Sequence, residues 1–329
     1  MKKFDELFHK FNEIKVGIIG DVMLDTYMWG HVERISPEAP VPVVLLDSRE
    51  LRLGGAGNVA LNIQALGAPV FVISVIGADE DATRLTSLFQ QQKIDGTYVV
   101  KSNNRVTTNK TRIISRNQQM MRLDAEITAD LQIEEEKILI ERFKTFIMEQ
   151  APQVVILQDY NKGVLTQHVI ETVISICKEA GVFTAVDPKR KNFLTYKGVD
   201  IFKPNLKEVR EALNLLFTDV SQSALQAIHQ QLHEHLQHHI SFITLSERGV
   251  FYQQEAQAAL IPSHFRNIAD VSGAGDTVIA VAALVYAATK DIALMAQMAN
   301  IAGGLVCEEV GTAAINKTKL LQECALLLS

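Results

Sequence analysis

Asp270-Val271-Ser272-Gly273-Ala274-Gly275-Asp276-Thr277 is the stretch whose residue types most readily do chemistry. Two glycines flanking an alanine let the backbone turn sharply, with its N–H groups unhindered. The apolar run Val278 to Ala288 that follows reads as a buried helix of about three turns, far too short to span a bilayer. The loop therefore lies at a helix N-terminus, where unpaired amides and the helix dipole attract an anion such as phosphate. Asp276 is out of place beside an anion unless it takes a proton from a group attacking that anion. An Asp in a first turn is also an ordinary cap. From the octapeptide alone the two readings stand level.

A second glycine-rich loop, Leu53-Gly54-Gly55-Ala56-Gly57-Asn58, opens a helix that shows Val59, Ile63 and Leu66 on one face. Its spacing is neither G-x-G-x-x-G nor G-x-x-x-x-G-K-[ST], which excludes the dinucleotide fingerprint and the Walker loop. Asn58, both donor and acceptor, suits a polyhydroxylated ligand better than a phosphate. Asp21 and Asp25 follow the strand Val16–Ile19, at the strand end where open α/β sheets bind ligands; read alone they are loop carboxylates first and contacts second. Lys110, Arg112 and Arg116 share strand parity, with Arg105 and Arg122 nearby. In an acidic chain they either clasp a second phosphate or guard a strand edge. His229, His233, His235, His238 and His239 include an i, i+4 pair, but no cysteine or carboxylate array completes a metal site. They read as a solvated helix surface.

Strands and helices must bring these residues together. Phe4, Leu7, Phe8, Phe11 and Ile14 fall at helical spacing. Three prolines in six residues precede an edge strand at Val41–Leu46. Val70–Val75 reads as a strand and Asp81–Gln92 as a helix. Polar–apolar alternation over Thr97–Asp124 reads as two or three antiparallel strands. Regular alternation then follows: helices near 133–150, 166–180, from Asn205 and near 221–238, with strands at Val154–Leu157, Phe183–Val186, Ile201-Phe202 and Phe242–Leu245. Such alternation means a parallel sheet covered on both faces. With 329 residues, 47% of them hydrophobic, the core needs no staples. A net charge of −6 argues against a nucleic-acid binder. Three scattered cysteines, no apolar signal core and no eighteen-residue apolar run point to a cytoplasmic protein with no membrane partner.

Gly54–Asn58, Asn205-Leu206-Lys207-Glu208 and Gly273–Asp276, in that order across nearly the whole chain, resemble the ribokinase-like (PfkB) family of carbohydrate kinases. Glu33–Val43, Asn117–Asp124, Gln158–Gly163 and Asp187-Pro188-Lys189 are similar to its heptose 7-phosphate kinase branch. Many relatives carry Thr at position 271; Val271 agrees with that branch. The resemblance implies a three-layer α/β/α fold with a mostly parallel sheet and a small β lid, drawn here from about 41–50 and 97–124 within a single kinase domain of residues 1–329. It implies ATP-dependent phosphorylation of the anomeric 1-hydroxyl of D-glycero-β-D-manno-heptose 7-phosphate, a step toward ADP-heptose and lipopolysaccharide core.

Asp276 would then be the base, and the amides of Gly273, Ala274 and Gly275 the anion hole. Asp21, Asp25, Gly55 and Asn58 would hold sugar hydroxyls. Lys189, Asn205, Thr244, Ser246, Gly249 and Asn300 would contact ATP, and Asn205 and Glu208 would hold Mg²⁺ through water. Lys110, Arg112 and Arg116 would take the 7-phosphate. Lids of related kinases pair, so a homodimer is expected; a monovalent cation requirement stays open. The H-x-G-H signature of an adenylyltransferase half is missing, so a stand-alone kinase is expected. A kinase of an unphosphorylated sugar, ribokinase- or fructokinase-like, is the alternative within the fold. A non-catalytic sugar or nucleotide sensor is the alternative outside it.

Overall fold

The computed structural model describes residues 2–116, 118–215 and 220–328. Asn117, in one of the motifs above, lies outside them. In chain order, α1 (Lys2–Lys10) leads to β1 (Val16–Gly20), then β2 (Val22–Ile35) and β3 (Pro42–Gly55). Next come α2 (Ala56–Leu66), β4 (Val70–Gly77), α3 (Glu80–Gln91), β5 (Asp95–Ser102), β6 (Asn109–Ser115) and β7 (Gln118–Ala125). The second half carries α4 (Ile133–Gln150), β8 (Val154–Gln158), α5 (Gln167–Ala180), β9 (Phe183–Asp187), β10 (Ile201–Phe202), α6 (Leu206–Ala212) and α7 (Gln222–Leu236). It closes with β11 (Ile240–Thr244), β12 (Val250–Gln254), β13 (Gln257–Ile261), α8 (Ala274–Thr289), α9 (Ile292–Val306) and α10 (Lys317–Leu327).

Nine strands form one sheet in the order β13-β12-β11-β10-β9-β8-β1-β4-β5, parallel except for the β11-β12-β13 meander. Its central strands are apolar on both faces, as a doubly covered sheet requires. Along β1, Val16 and Ile18 face a core shared with α2, α8 and α9. Ile19 faces the other core, with α4, α5 and α7. Gly17 lies on that second side; a Cβ there would come within 2.5 Å of the Phe146 ring, so only glycine lets α4 approach this closely. Strand order reverses beside β1: β8 and everything after it lie on one side, β4 and β5 on the other. Ligands bind outside the strand ends at such a switch point.

The other four strands make a separate sheet, β3-β2-β6-β7. It differs from the lid read from sequence. Residues 97–102 belong to β5, parallel to β4 in the large sheet, so the second part of the small sheet begins at Asn109. That sheet also takes in β2, which was not read as a strand, and β2 pairs with β6 in parallel. The reason is physical: β2 is buried from Val22 to Tyr27 and exposed from Glu33 to Ile35, so neither a buried run nor a clean alternation marks its length.

The histidines also depart from expectation. His229 and His238 are buried, both bonded to Ser241 Oγ (2.8 and 2.6 Å), and His233 Nδ1 meets the His238 carbonyl at 2.9 Å. The three rings pack with centroids 5.5 to 5.8 Å apart. His229 on α7 thus turns inward against the start of β11, whereas His233, His235 and His239 are exposed, as expected from the sequence. Burial holds His229 down to about 4 and His238 to about 3, so both are neutral near pH 7. Among the described residues, no group of three or more His, Cys, Asp or Glu is placed to hold a metal ion. Nor is any helix long and apolar enough to cross a membrane.

Candidate active site

Asp276 stands in the first turn of α8, buried to 2% exposure. The helix has no side-chain cap: Gly273 fills the N-cap in a left-handed conformation, φ 79°. A Cβ on Gly273 would meet Asn58 Nδ2 at 2.6 Å, so the site needs both the turn and the missing side chain. Asp270 braces the turn, accepting from Ser272 N and Oγ (both 2.9 Å) and from Gly311 N (2.9 Å). The Ala274 amide donates to Val271 O at 3.3 Å. The Gly275 and Asp276 amides have no intrahelical acceptor, as at any helix start.

Three donors hold the Asp276 carboxylate. Asn58 Nδ2 donates to Oδ2 at 2.8 Å; Gln158 Nε2 and Tyr160 Oη donate to Oδ1 at 3.0 and 2.7 Å. Burial raises Asp276 to about 6, the Asn58 and Tyr160 bonds pulling against it; Asp187 adds to the rise and Lys203 opposes it. That is a carboxylate poised to exchange a proton near neutrality. Lys203 is itself buried and pairs with Asp187 Oδ2 at 3.1 Å. It is the cation nearest Gly275, about where a phosphoryl group at the α8 amides would carry its charge.

The other residues singled out from the sequence divide into groups. Asn58, from the second glycine loop, reaches the base. Gly55 has φ 57° and its neighbour Ala56 donates to Asp21 O, tying that loop to the end of β1. The Asp21 carboxylate accepts the amides of Tyr160, Lys162 and Val164 at 2.8, 3.0 and 3.1 Å, so it clamps the loop after β8. Burial raises its pKa, and these amides oppose the rise. Asp25 on β2 pairs with Arg112 on β6 at 2.5 Å. Lys110 lies 5.6 Å from the Tyr160 ring, and burial and then Lys162 lower its pKa. Arg116 lies past the end of β6 in a left-handed turn, in a hollow with Val32, Ser115, Gln118 and Met120. Shared parity does not carry it to the site, because the strand ends first.

Asn205 and Glu208 form a reciprocal capping box: Asn205 Oδ1 accepts from Glu208 N (2.9 Å) and Glu208 Oε2 from Asn205 N (2.8 Å). Glu208 Oε1 also takes Lys189 Nζ at 2.5 Å. Asp187 and Glu208 raise the Lys189 pKa against the cost of its burial, so it stays charged. Each of these oxygens retains a lone pair, which fits a hydrated Mg²⁺ held through water and not a cage of direct ligands. Thr244 bridges Asn205 at the end of β11, Ser246 is exposed, Gly249 turns with φ 95°, and Asn300 Nδ2 donates to Pro262 O at 2.8 Å. Thr244, Ser246 and Gly249 thus lie at the β11–β12 connection, and Asn300 on α9.

Sequence reasoning assigned no role to Gln158, Tyr160, Asp187 or Lys203. Each lies at or just beyond the end of a parallel strand, and the strand-end rule that picked out Asp21 reaches all four. Arg52 was also missed: it donates to Val310 O and Thr312 O, and its guanidinium lies 4.9 Å from the Tyr27 ring, with Arg112 at 5.2 Å from the same ring.

Comparison with known proteins adds to this geometry. Residues 14–319 match the model of the pfkB family carbohydrate kinases. The chain is 38% identical over 326 residues to the bifunctional protein HldE of Geotalea uraniireducens, covering 98% of this chain and 65% of that one. It is 39% identical over 321 residues to HldE of Methylobacillus flagellatus, with 97% and 65% covered. The chain thus spans about two thirds of the length of these relatives. The fold matches phosphofructokinase-2 from Escherichia coli in complex with potassium: TM-score 0.81, 17% identity, 96% of this chain and 100% of that one. It also matches Arabidopsis thaliana ribokinase complexed with ribose and ATP: TM-score 0.72, 16% identity, 94% and 99% covered.

Proposed function

We propose, starting from the fact that the chain belongs to the pfkB family of carbohydrate kinases, that it phosphorylates the 1-hydroxyl of D-glycero-β-D-manno-heptose 7-phosphate with ATP. The observation that carries the reading is the buried Asp276 carboxylate at the uncapped start of α8, joined to Asn58 of the other glycine loop. The HldE relatives support the heptose branch.

In this reading the γ-phosphoryl rests against the first-turn amides of α8, with Lys203 beside them. The acceptor oxygen bonds to the γ-phosphorus as the bond from that phosphorus to the β-bridging oxygen breaks. Asp276 takes the hydroxyl proton, and ADP leaves. Phosphoryl transfer asks mainly for positioning and charge stabilisation. Mg²⁺, when bound on the nucleotide, neutralises phosphate charge; Glu208 and Asn205 would hold its waters. Lys189, Thr244, Ser246, Gly249 and Asn300 would border the nucleotide. Asp25, Gly55 and Asn58 would face the sugar, and Asp21 would shape the loop around it. The E. coli phosphofructokinase-2 complex with potassium makes a monovalent cation a reasonable addition to test.

Lys110, with Lys162 near it and Arg112 and Arg52 around Tyr27, gives the sugar side a cationic wall suited to a phosphate. The second reading is an unphosphorylated sugar, favoured by one observation: Arg112 already has a partner in Asp25. Comparing kcat/KM for the heptose 7-phosphate with that for ribose and free hexoses decides between them. A preference for a free sugar would sink the first reading. The lid exposes Leu45, Leu46, Met121 and Leu123, apolar surface that suits pairing with a second copy; light scattering at micromolar concentration tests that.

A further inference from the structure

Tyr160 is the donor to the base that differs most from the others. Asn58 is fully buried within α2 and Gln158 is fully buried at the last position of β8. Tyr160 is only half-buried, on the loop after β8, next to Asn161 in a left-handed conformation. Asp21 anchors its amide at 2.8 Å, so the backbone is fixed. Its ring lies between two ammonium groups, Lys110 of the lid and Lys189 of the body, each 5.6 Å from the ring centre.

The two oxygens of Asp276 are not equivalent. Oδ1 receives Tyr160 Oη at 2.7 Å and Gln158 Nε2 at 3.0 Å, two donors for its two lone pairs. Among the described residues, Oδ2 receives Asn58 Nδ2 alone, at 2.8 Å. One lone pair of the carboxylate is left for an acceptor hydroxyl, and it is on Oδ2.

We propose that Tyr160 is a positioning residue that decides which oxygen of Asp276 works as the base: by filling Oδ1 it leaves Oδ2 to the sugar hydroxyl and denies Oδ1 to water. The inference rests on the kinase reading above. Its consequences are twofold. With Oδ1 closed, a water beside the bound nucleotide has no second base to use, so ATP hydrolysis without sugar stays low. And the phenol's hydrogen bond favours the ionised carboxylate, in a site where the charges of Asp187, Lys203 and Lys189 also act on Asp276. The phenol remains a donor throughout, because burial and the negative charges of Asp276 and Asp187 raise its own pKa.

The test is Tyr160→Phe, which keeps the ring between the two lysines and removes only the hydroxyl. In the free protein, titration of the Asp276 carboxyl by carbon NMR is expected to move up by about one pH unit, the loss of one charge-assisted hydrogen bond. With ATP and no sugar, ADP formation is expected to rise several-fold over the unsubstituted protein. With sugar, the acid limb of kcat/KM should shift the same way while activity at pH 8 falls less. An unmoved carboxyl titration in Tyr160→Phe overturns the proposal, as does a uniform fall of kcat at every pH with no gain in sugar-free hydrolysis. If the unsubstituted protein turns over no sugar while the carboxyl still moves, the kinase reading fails and the role of Tyr160 at Asp276 stands.

Discussion

Two helices of this molecule begin with a carboxylate at the same place and use it in opposite ways. In α6 the third residue is Glu208, which folds back onto the Asn205 amide and closes the helix start. In α8 the third residue is Asp276, one methylene shorter, behind a glycine that offers no side chain. Its carboxylate turns to Asn58, Gln158 and Tyr160 instead. One helix end is satisfied by its own residues. The other has no side-chain cap, which leaves its dipole free to favour an anion. A helix start is made functional as much by what is withheld from it as by what is supplied.

Asp276→Asn breaks the comparison most severely. Turnover should fall by about 10³-fold or more, the scale of a lost general base, while titration calorimetry still finds nucleotide and sugar binding; near-normal kcat would remove Asp276 as the base. Acid is the next largest lever. Asp276 lies at about 6 because burial disfavours its charge, so the working, ionised form is lost as pH falls through that value. We expect kcat/KM to be level above pH 7 and to drop about tenfold per unit below 6; a rate independent of pH between 5 and 8 contradicts this. Gly273→Ala probes the open end directly. A left-handed alanine costs about 1–2 kcal/mol, and its Cβ presses on Asn58, so urea denaturation should show the loss together with a lower kcat. Asn205→Ala should cost about 1 kcal/mol, the scale of a helix cap, and Asn205→Ser should restore most of it. If Asn205→Ser restores stability and leaves a raised KM for Mg·ATP, the capping box is also a nucleotide contact.

The alternating elements from Ile133 to Thr244 were legible because buried parallel strands and amphipathic helices write different periods into the chain. Both glycine loops were legible because each opens a helix, and the spacing of Gly54–Asn58 also excluded the better-known phosphate loops. Gln158 and Tyr160 lay in a segment marked by resemblance but without a role, and Lys203 carried no mark: each matters because β8 and β10 end at one level, which is a property of the sheet. The histidine face of α7 misled for a related reason. Polar residues at helical spacing read as solvated, and only the arrival of Ser241 from β11 gives His229 and His238 a buried partner. Neutral histidines there have an acid cost. Their pKa values lie below the unfolded value of about 6.5, so stability is lost as pH falls from there toward 4 and then 3.

The bond between Asn58 and Asp276 joins residues 218 positions apart, and Arg52 reaches the Val310 and Thr312 carbonyls across 258 and 260 positions. Such closures form late, since each must await a distant segment of chain. During synthesis, strands β1 through β11 leave the ribosome before α8 does. The nascent protein can therefore build most of both sheets before the segment that carries Asp276 is available. The bond from Asn58 to Asp276 can close only once α8 has been made.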